Sequence, residues 1–148
     1  MKTSRHSAFT LIELMVVIAI IAILAGLILS AAGYVQKKGA RSRAEAEIAA
    51  LGTALENYKA DYGDYPTNSV SANTRSLITI LMPTDGSKIY YEFKTNSTNA
   101  TGFLDPFGNN YNYSYPGSVS RGGTNFYDLW STAGGTASSS ENTWIRNW

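Results

Sequence analysis

Residues 9–32 read FTLIELMVVIAIIAILAGLILSAA, and this apolar run determines how the rest of the chain is arranged. As a helix rising about 1.5 Å per residue, a run of about 24 residues is long enough to cross the hydrocarbon core of a bilayer. Glu13 is the one charged side chain in the run. A carboxylate within a membrane costs roughly 2.5–3.5 kcal/mol, so Glu13 is predicted to be a functional residue. The alternative is a carboxylate close enough to the end of the span to reach the headgroups.

The segment before the run carries Lys2 and Arg5 and no acidic residue. Positive residues beside a membrane span stay on the cytoplasmic side. We therefore expect a single-pass inner-membrane protein with a cytoplasmic N-terminus and a periplasmic head. An ordinary secretory signal cleaved after Ala32 is the alternative. The apolar run is longer than the about 7–15 residues usual in such signals, and Glu13 lies inside it, which speaks against that alternative.

The composition suits one domain and an anchor, with 148 residues, a formal net charge of +1 and no cysteine. A near-neutral charge without a basic stripe indicates no nucleic-acid partner. The lack of cysteine excludes a disulfide framework and a thiolate metal site. The single histidine, His6, lies before the apolar run, and no spacing pairs the acidic residues for catalysis, so we expect no enzymatic activity.

Helical chemistry continues beyond the apolar run. Two pairs of opposite charge, Arg41 with Glu45 and Arg43 with Glu47, are spaced i,i+4 as on a solvated helix face. Apolar residues then recur at spacings of three and four and predict one buried stripe: Ile48, Leu51, Leu55, Tyr58 and Tyr62. Because Gly63 and Pro66 end the pattern, the sequence predicts a helix from about Phe9 to Tyr62.

The remaining chain is predicted to form a small head of short elements. Asn73 or Thr74 is expected to cap a short helix over 77–81 that ends before Pro83, with a strand as the alternative for so short a run. Alternation and turn residues predict three strands, over 88–94, 111–115 and 125–131, with turns at 85–86, 105–108 and 122–123. We expect the strands to form a small antiparallel sheet over the apolar stripe of the helix.

The stretch FTLIELMVVIAIIAILA at 9–25 resembles the N-terminal signature of type IV pilins and of the pseudopilins of type II secretion. The resemblance implies a leader over 1–8, cleavage between Ala8 and Phe9 by a prepilin peptidase, and methylation of the new N-terminus. It also implies that Glu13 pairs with the terminal amine of a neighbouring subunit during filament assembly. Ala8 departs from the glycine that the family usually has before the cleavage site.

Two further segments resemble the major pseudopilins of type II secretion. The sequence LENYKADYGDYPT at 55–67 is similar to their helix exit, and DPFGNNY at 105–111 is similar to part of their C-terminal half. The resemblance implies an α+β, pilin-like fold, in which a long N-terminal helix, half transmembrane and half amphipathic, packs against a small antiparallel β-sheet. The chain would then consist of a leader (1–8), a transmembrane and assembly helix (9–32), and an amphipathic helix with an outward-facing head (33–148).

In that family the C-terminal loop holds a calcium ion through two acidic side chains, a serine and backbone carbonyls. The segment TAGG at 132–135 lacks the first acid, which leaves Glu141 and Thr143 as weak candidate ligands. Calcium takes about 6–8 oxygen ligands, so a site with one carboxylate is weak. The alternative is a loop held by hydrogen bonds and by packing of Trp144 and Trp148 onto the sheet.

The sequence therefore predicts a structural subunit of a pilus-like filament, a major pseudopilin that drives type II protein secretion. The implied partners are identical subunits, the prepilin peptidase, the inner-membrane assembly platform and minor pseudopilins. Two alternatives stay open. One is a type IV pilus subunit for adhesion, motility or DNA uptake, and the other is a single-span anchored binding domain that does not assemble.

Overall fold

The computed structural model describes residues 9–67, 74–118, 121–136 and 141–148. The chain divides into two compact units, the first ending at Lys38 and the second beginning at Gly39. The structure contains a long helix α1 (Leu11–Tyr62), a short helix α2 (Arg75–Leu81) and three strands, and it is consistent with the predicted α+β, pilin-like class. The predicted leader, with Ala8, lies outside the described residues.

Helix α1 (Leu11–Tyr62) has 52 residues and begins two residues after the predicted start. It ends where predicted, because Gly63 adopts a φ of 87° and donates its N–H to the carbonyl of Lys59 at 2.7 Å. In the first unit, α1 exposes most of its large apolar side chains up to Ile28. One helix, this one, is long and apolar enough among the described residues to cross a bilayer.

In the second unit, one face of α1 forms part of the hydrophobic core. Ile48, Leu51 and Leu55 are buried as predicted, and alanines at 44 and 54 extend the stripe. Tyr62 is the exception, since its side chain is 64% exposed and the prediction that it lies in the stripe is wrong. It lies in the last turn of the helix and stacks on Tyr58 with ring centroids 4.4 Å apart, outside the core.

The sheet is three-stranded and antiparallel, with β1 (Asn112–Ser114), β2 (Asp128–Ser131) and β3 (Ile145–Arg146) in the order β1-β2-β3. The register pairs Tyr113 with Leu129 and Trp130 with Arg146. All four residues of the central strand β2 are buried. Strands β1 and β2 were predicted, with the longer bounds 111–115 and 125–131. Strand β3 was not predicted, because two residues are too few to show an alternating pattern.

The segment 88–94 is not a strand, so that prediction is wrong. Its backbone forms hydrogen bonds to a helix end and not to another strand, since the N–H groups of Tyr90 and Tyr91 both donate to the carbonyl of Leu81, at 2.8 and 3.2 Å. These hydrogen bonds attach the segment to the end of α2 and replace a strand ladder. Phe93 from this segment is buried in the core.

Helix α2 (Arg75–Leu81) confirms the predicted short helix and excludes the strand alternative. Thr74 is the N-cap residue but makes no side-chain cap; its hydroxyl accepts the N–H of Phe103 at 2.9 Å. Asn73, the other predicted cap, lies outside the described residues. The predicted turn at 105–108 is confirmed by a hydrogen bond from the N–H of Gly108 to the carbonyl of Asp105 at 3.0 Å.

Candidate functional site

Glu13 lies in the first turn of α1 and is held there by Thr10. The N–H of Thr10 donates to Oε2 of Glu13 at 2.9 Å, and the Thr10 hydroxyl donates to the same oxygen at 2.8 Å. In return, the N–H of Glu13 donates to the Thr10 hydroxyl at 3.3 Å. This arrangement is a capping box, in which threonine and glutamate satisfy the free donors at a helix start. The sequence prediction did not include Thr10, although Thr-x-x-Glu before an apolar run is the signal for it.

An open apolar surface surrounds the Glu13 carboxylate. Phe9, Ile12, Val16 and Val17 line the same recess as Glu13. All four apolar side chains are exposed, from 46% for Val17 to 81% for Phe9. The structure therefore brings Phe9 and Glu13 together, while Ala8 lies outside the described residues. An anion framed by uncovered apolar side chains suits a partner that is apolar and carries a positive charge.

Glu141 and Thr143, the predicted calcium candidates, lie in a single 3₁₀ turn (Glu141–Thr143) of the second unit. The carboxylate of Glu141 is already bound by arginines, with Nη2 of Arg121 at 2.8 Å and Nη1 of Arg146 at 3.8 Å. The carbonyl of Thr143 accepts a hydrogen bond from Nη1 of Arg41 at 3.2 Å. Three guanidinium groups thus face the oxygens that a cation would need.

These residues do not fit a calcium ion. Calcium takes about 6–8 oxygens, and the positive charges of Arg121 and Arg146 would repel it. Among the described residues, no group of three or more acidic or histidine side chains is placed to hold a metal. The segment 132–135 supplies no acid and forms a tight turn, with positive φ angles at Ala133 and Gly134.

The fold and the N-terminal site define the class of protein. An exposed apolar helix with a carboxylate in its first turn, followed by a small antiparallel sheet on the same helix's C-terminal half, is the architecture of a pilin-like subunit. A family model described as "Prokaryotic N-terminal methylation motif" matches residues 3–29, and one described as "Type II secretion system (T2SS), protein G" matches residues 33–148. The chain belongs to the family of type II secretion system protein G.

Individual relatives carry the same description. The chain is 32% identical over 121 residues to "Type II secretion system core protein G" of Vibrio cholerae, covering 78% of this chain and 75% of the relative. The protein of that name from Pseudomonas aeruginosa is 31% identical over 134 residues, covering 87% and 86%. That from Aeromonas hydrophila is 43% identical over 67 residues, which is 45% of this chain and 47% of the relative, so this match spans about half the relative's length.

Proposed function

We propose that this chain is the major, filament-forming pseudopilin of a type II secretion system, anchored in the inner membrane before assembly. The single observation that carries the proposal is Glu13, a carboxylate held at the start of an exposed apolar helix in a chain of the protein G family. The role is structural, and force for secretion comes from extending a stack of subunits.

Packing between copies of α1 supplies most of the contact area. Its apolar side chains from 9 to 28 are exposed in the single chain, and small residues interrupt them: Ala19, Ala22, Ala25 and Gly26. In lipid there is little hydrophobic drive between helices, so close approach at small residues and polar pairs determines association. Copies of this helix are therefore expected to pack on one another with the small residues at the contacts.

The charge pair of Glu13 determines the register in which neighbouring copies of α1 pack. Cleavage between Ala8 and Phe9 would convert the Phe9 amide into an ammonium group, whereas the uncut chain carries no charge at that nitrogen. The Glu13 carboxylate of a neighbouring copy would then exchange its Thr10 hydrogen bonds for a charge-assisted bond to that ammonium. In a low-dielectric stack an unpaired carboxylate is costly, so only correctly registered subunits are stable.

The proposed partners follow from these steps. A prepilin peptidase cuts and methylates the chain, an inner-membrane platform adds subunits, and minor pseudopilins share the filament. The positive residues Lys2 and Arg5 favour a cytoplasmic N-terminus, and the head would then lie in the periplasm. A type IV pilus subunit would use the same chemistry, but the family match favours secretion.

The test compares Glu13→Gln with Glu92→Gln, a matched change at an exposed glutamate of the head. Each variant is co-expressed with a prepilin peptidase and the secretion apparatus. We expect both to insert in the membrane and to yield a mature N-terminus at Phe9 by N-terminal sequencing. Filaments and secreted protein should fall at least about tenfold for Glu13→Gln alone, since the neutral amide loses the charge pair.

Three outcomes would contradict the proposal. Normal filaments from Glu13→Gln would show that the carboxylate is not needed for assembly. An uncut N-terminus in the parent chain would point to a tethered domain. Filaments without any dependence of secreted protein on this chain would favour the type IV pilus alternative.

A further inference from the structure

Arg121 is the centre of the C-terminal part of the head. Its side chain is 19% exposed and lies between two carboxylates. Nη1 is 3.4 Å from Oδ2 of Asp128, and Nη2 is 2.8 Å from Oε1 of Glu141. Asp128 belongs to the central strand β2, whereas Glu141 belongs to the 3₁₀ turn that precedes β3. One guanidinium therefore joins β2 to the C-terminal segment, residues 141–148.

Three tryptophans complete the surroundings of Arg121. Its Cζ lies 4.7 Å from the ring centroid of Trp130, 5.0 Å from that of Trp148 and 5.6 Å from that of Trp144. Trp130 and Trp144 stack at 5.6 Å, and Trp148 meets Trp130 edge-on at 5.8 Å. A guanidinium over aromatic faces is attracted to the negative ring surface, so the rings and the carboxylates hold the same positive charge.

The backbone at Gly117 and Ser118 lies close against the Asp128 carboxylate. The N–H of Ser118 donates to Oδ2 of Asp128 at 2.8 Å. A Cβ added at Gly117 would lie 2.9 Å from Oδ1 of Asp128 and 2.5 Å from the carbonyl of Phe126, so this position requires glycine. Oδ1 of Asp128 has no hydrogen-bond partner among the described residues, and Arg121 supplies the counter-charge for this buried carboxylate.

We infer that the guanidinium of Arg121 takes the place of a bound divalent cation. It neutralises the carboxylates of Asp128 and Glu141 and thereby holds the C-terminal segment, residues 141–148, against β2. Arg121 and a calcium ion would compete for the same carboxylate oxygens. A calcium ion that used these carboxylates would have to displace Arg121 from both and would also face Arg146, 3.8 Å from Glu141. Burial lowers the pKa of Arg121, but its hydrogen bonds and charge pairs with Glu141 and Asp128 outweigh this, and the net shift is upward.

The test uses the full-length chain in detergent and three single variants. Arg121→Gln removes the charge, Glu141→Gln weakens the contact to the C-terminal segment only, and Arg43→Gln is the matched control at an exposed arginine of α1. Thermal unfolding is followed by near-ultraviolet circular dichroism, which reports the tryptophan cluster, in calcium chloride and in a calcium chelator. Terbium, a calcium analogue, is titrated separately and detected by emission sensitised by tryptophan.

We expect the melting temperature of the parent chain to differ by less than about 1 °C between calcium and chelator, because a ligand stabilises only the fold that binds it. Terbium should give no saturable emission. Arg121→Gln should melt at least about 5 °C lower in both solutions, since it leaves Asp128 buried without a counter-charge. Arg43→Gln should stay within about 2 °C of the parent, as expected of an exposed charge.

A parent melting temperature that falls by more than about 5 °C in chelator, or saturable terbium emission, would overturn the inference, because both require a bound ion. So would an Arg121→Gln variant as stable as Arg43→Gln. If Arg121→Gln does not fold, Glu141→Gln decides. A loss of stability of equal size with calcium and with chelator supports the arginine bridge, and a loss confined to calcium shows that Glu141 serves a metal.

Discussion

Single tyrosine hydroxyls in the head bind to α1 and to the segment that directly follows it. The hydroxyl of Tyr111 donates to Oε2 of Glu47 at 2.7 Å, and that of Tyr113 donates to the carbonyl of Pro66 at 2.7 Å. Both side chains are fully buried. Strict alternation placed the two residues on one face, as predicted, and the hydrogen bonds explain why tyrosine stands there and not phenylalanine. A third hydroxyl, on Tyr65, donates to Glu56 at 2.7 Å.

Tyr113→Phe tests how much the buried hydrogen bond to Pro66 stabilises the head. The change removes one oxygen and leaves the Pro66 carbonyl without its partner in a buried place, so the free energy of unfolding should fall by about 1–3 kcal/mol. Urea denaturation of the full-length chain measures it. Tyr34→Phe is the control, because the Tyr34 side chain is 71% exposed, and it should change stability by less than about 0.5 kcal/mol. Equal stability of the two variants would mean that the Pro66 bond contributes nothing.

The sequence makes some residues of the candidate sites visible and not others, for a physical reason. Glu13 is visible as the one charge in an apolar run, and Phe9 lies four residues before it. Arg121 was not predicted, because its partners are 7 and 20 residues away and meet it only after the loop has folded. Glu141 was named as a weak candidate calcium ligand, and the guanidinium of Arg121 that its carboxylate meets was not predicted.

At the scale of elements, α1 was predicted almost to the residue, because an apolar run long enough to span a bilayer leads into a stripe with spacings of three and four, and Gly63 ends the helix. The strands have two to four residues, too few for alternation to fix their bounds. The segment 88–94 alternates well but lies where α2 ends, and the Leu81 carbonyl takes two of its N–H groups. Competition for backbone partners is not visible in a local pattern.

Two glycines within α1 offer a matched test of how the sheet packs on it. A Cβ at Gly39 would meet nothing within 4 Å, whereas one at Gly52 would lie 2.9 Å from the hydroxyl of buried Tyr127. Gly39→Ala should raise the free energy of unfolding by about 0.5–1 kcal/mol through helix propensity.

Gly52→Ala gains the same propensity but must displace a phenol that stacks on Phe126 at 4.5 Å and packs on Tyr65 at 5.0 Å. We expect it to be at least about 1 kcal/mol less stable than Gly39→Ala, because a packed core resists an added methyl group. Urea denaturation of both variants side by side is the measurement. If Gly52→Ala proves as stable as Gly39→Ala, the hydroxyl of Tyr127 does not pack against the helix at Gly52 closely enough to exclude a methyl group.

At the scale of the whole molecule, ten tyrosines in 148 residues make the head sensitive to high pH. Burial is the main cause that raises the pKa of Tyr111 and Tyr113, and burial together with the charge of Glu56 raises the pKa of Tyr127 to about 12. The folded state thus keeps these phenols neutral where the unfolded chain would ionise. Each therefore stabilises the fold fully below its unfolded pKa, and that contribution is lost as the pH rises towards the folded value.

We accordingly predict that the head unfolds cooperatively between about pH 10 and pH 12, with Tyr127 alone accounting for about 2–3 kcal/mol of lost stability. The measurement is a pH titration of the full-length chain in detergent, in which phenolate absorbance and near-ultraviolet circular dichroism are recorded together. The buried tyrosines should ionise in the same transition that removes the tryptophan signal, because ionisation requires exposure. A phenolate signal that completes while the circular dichroism is unchanged would mean that these hydroxyls are reached by water in the folded head, and the proposed role of burial would be wrong.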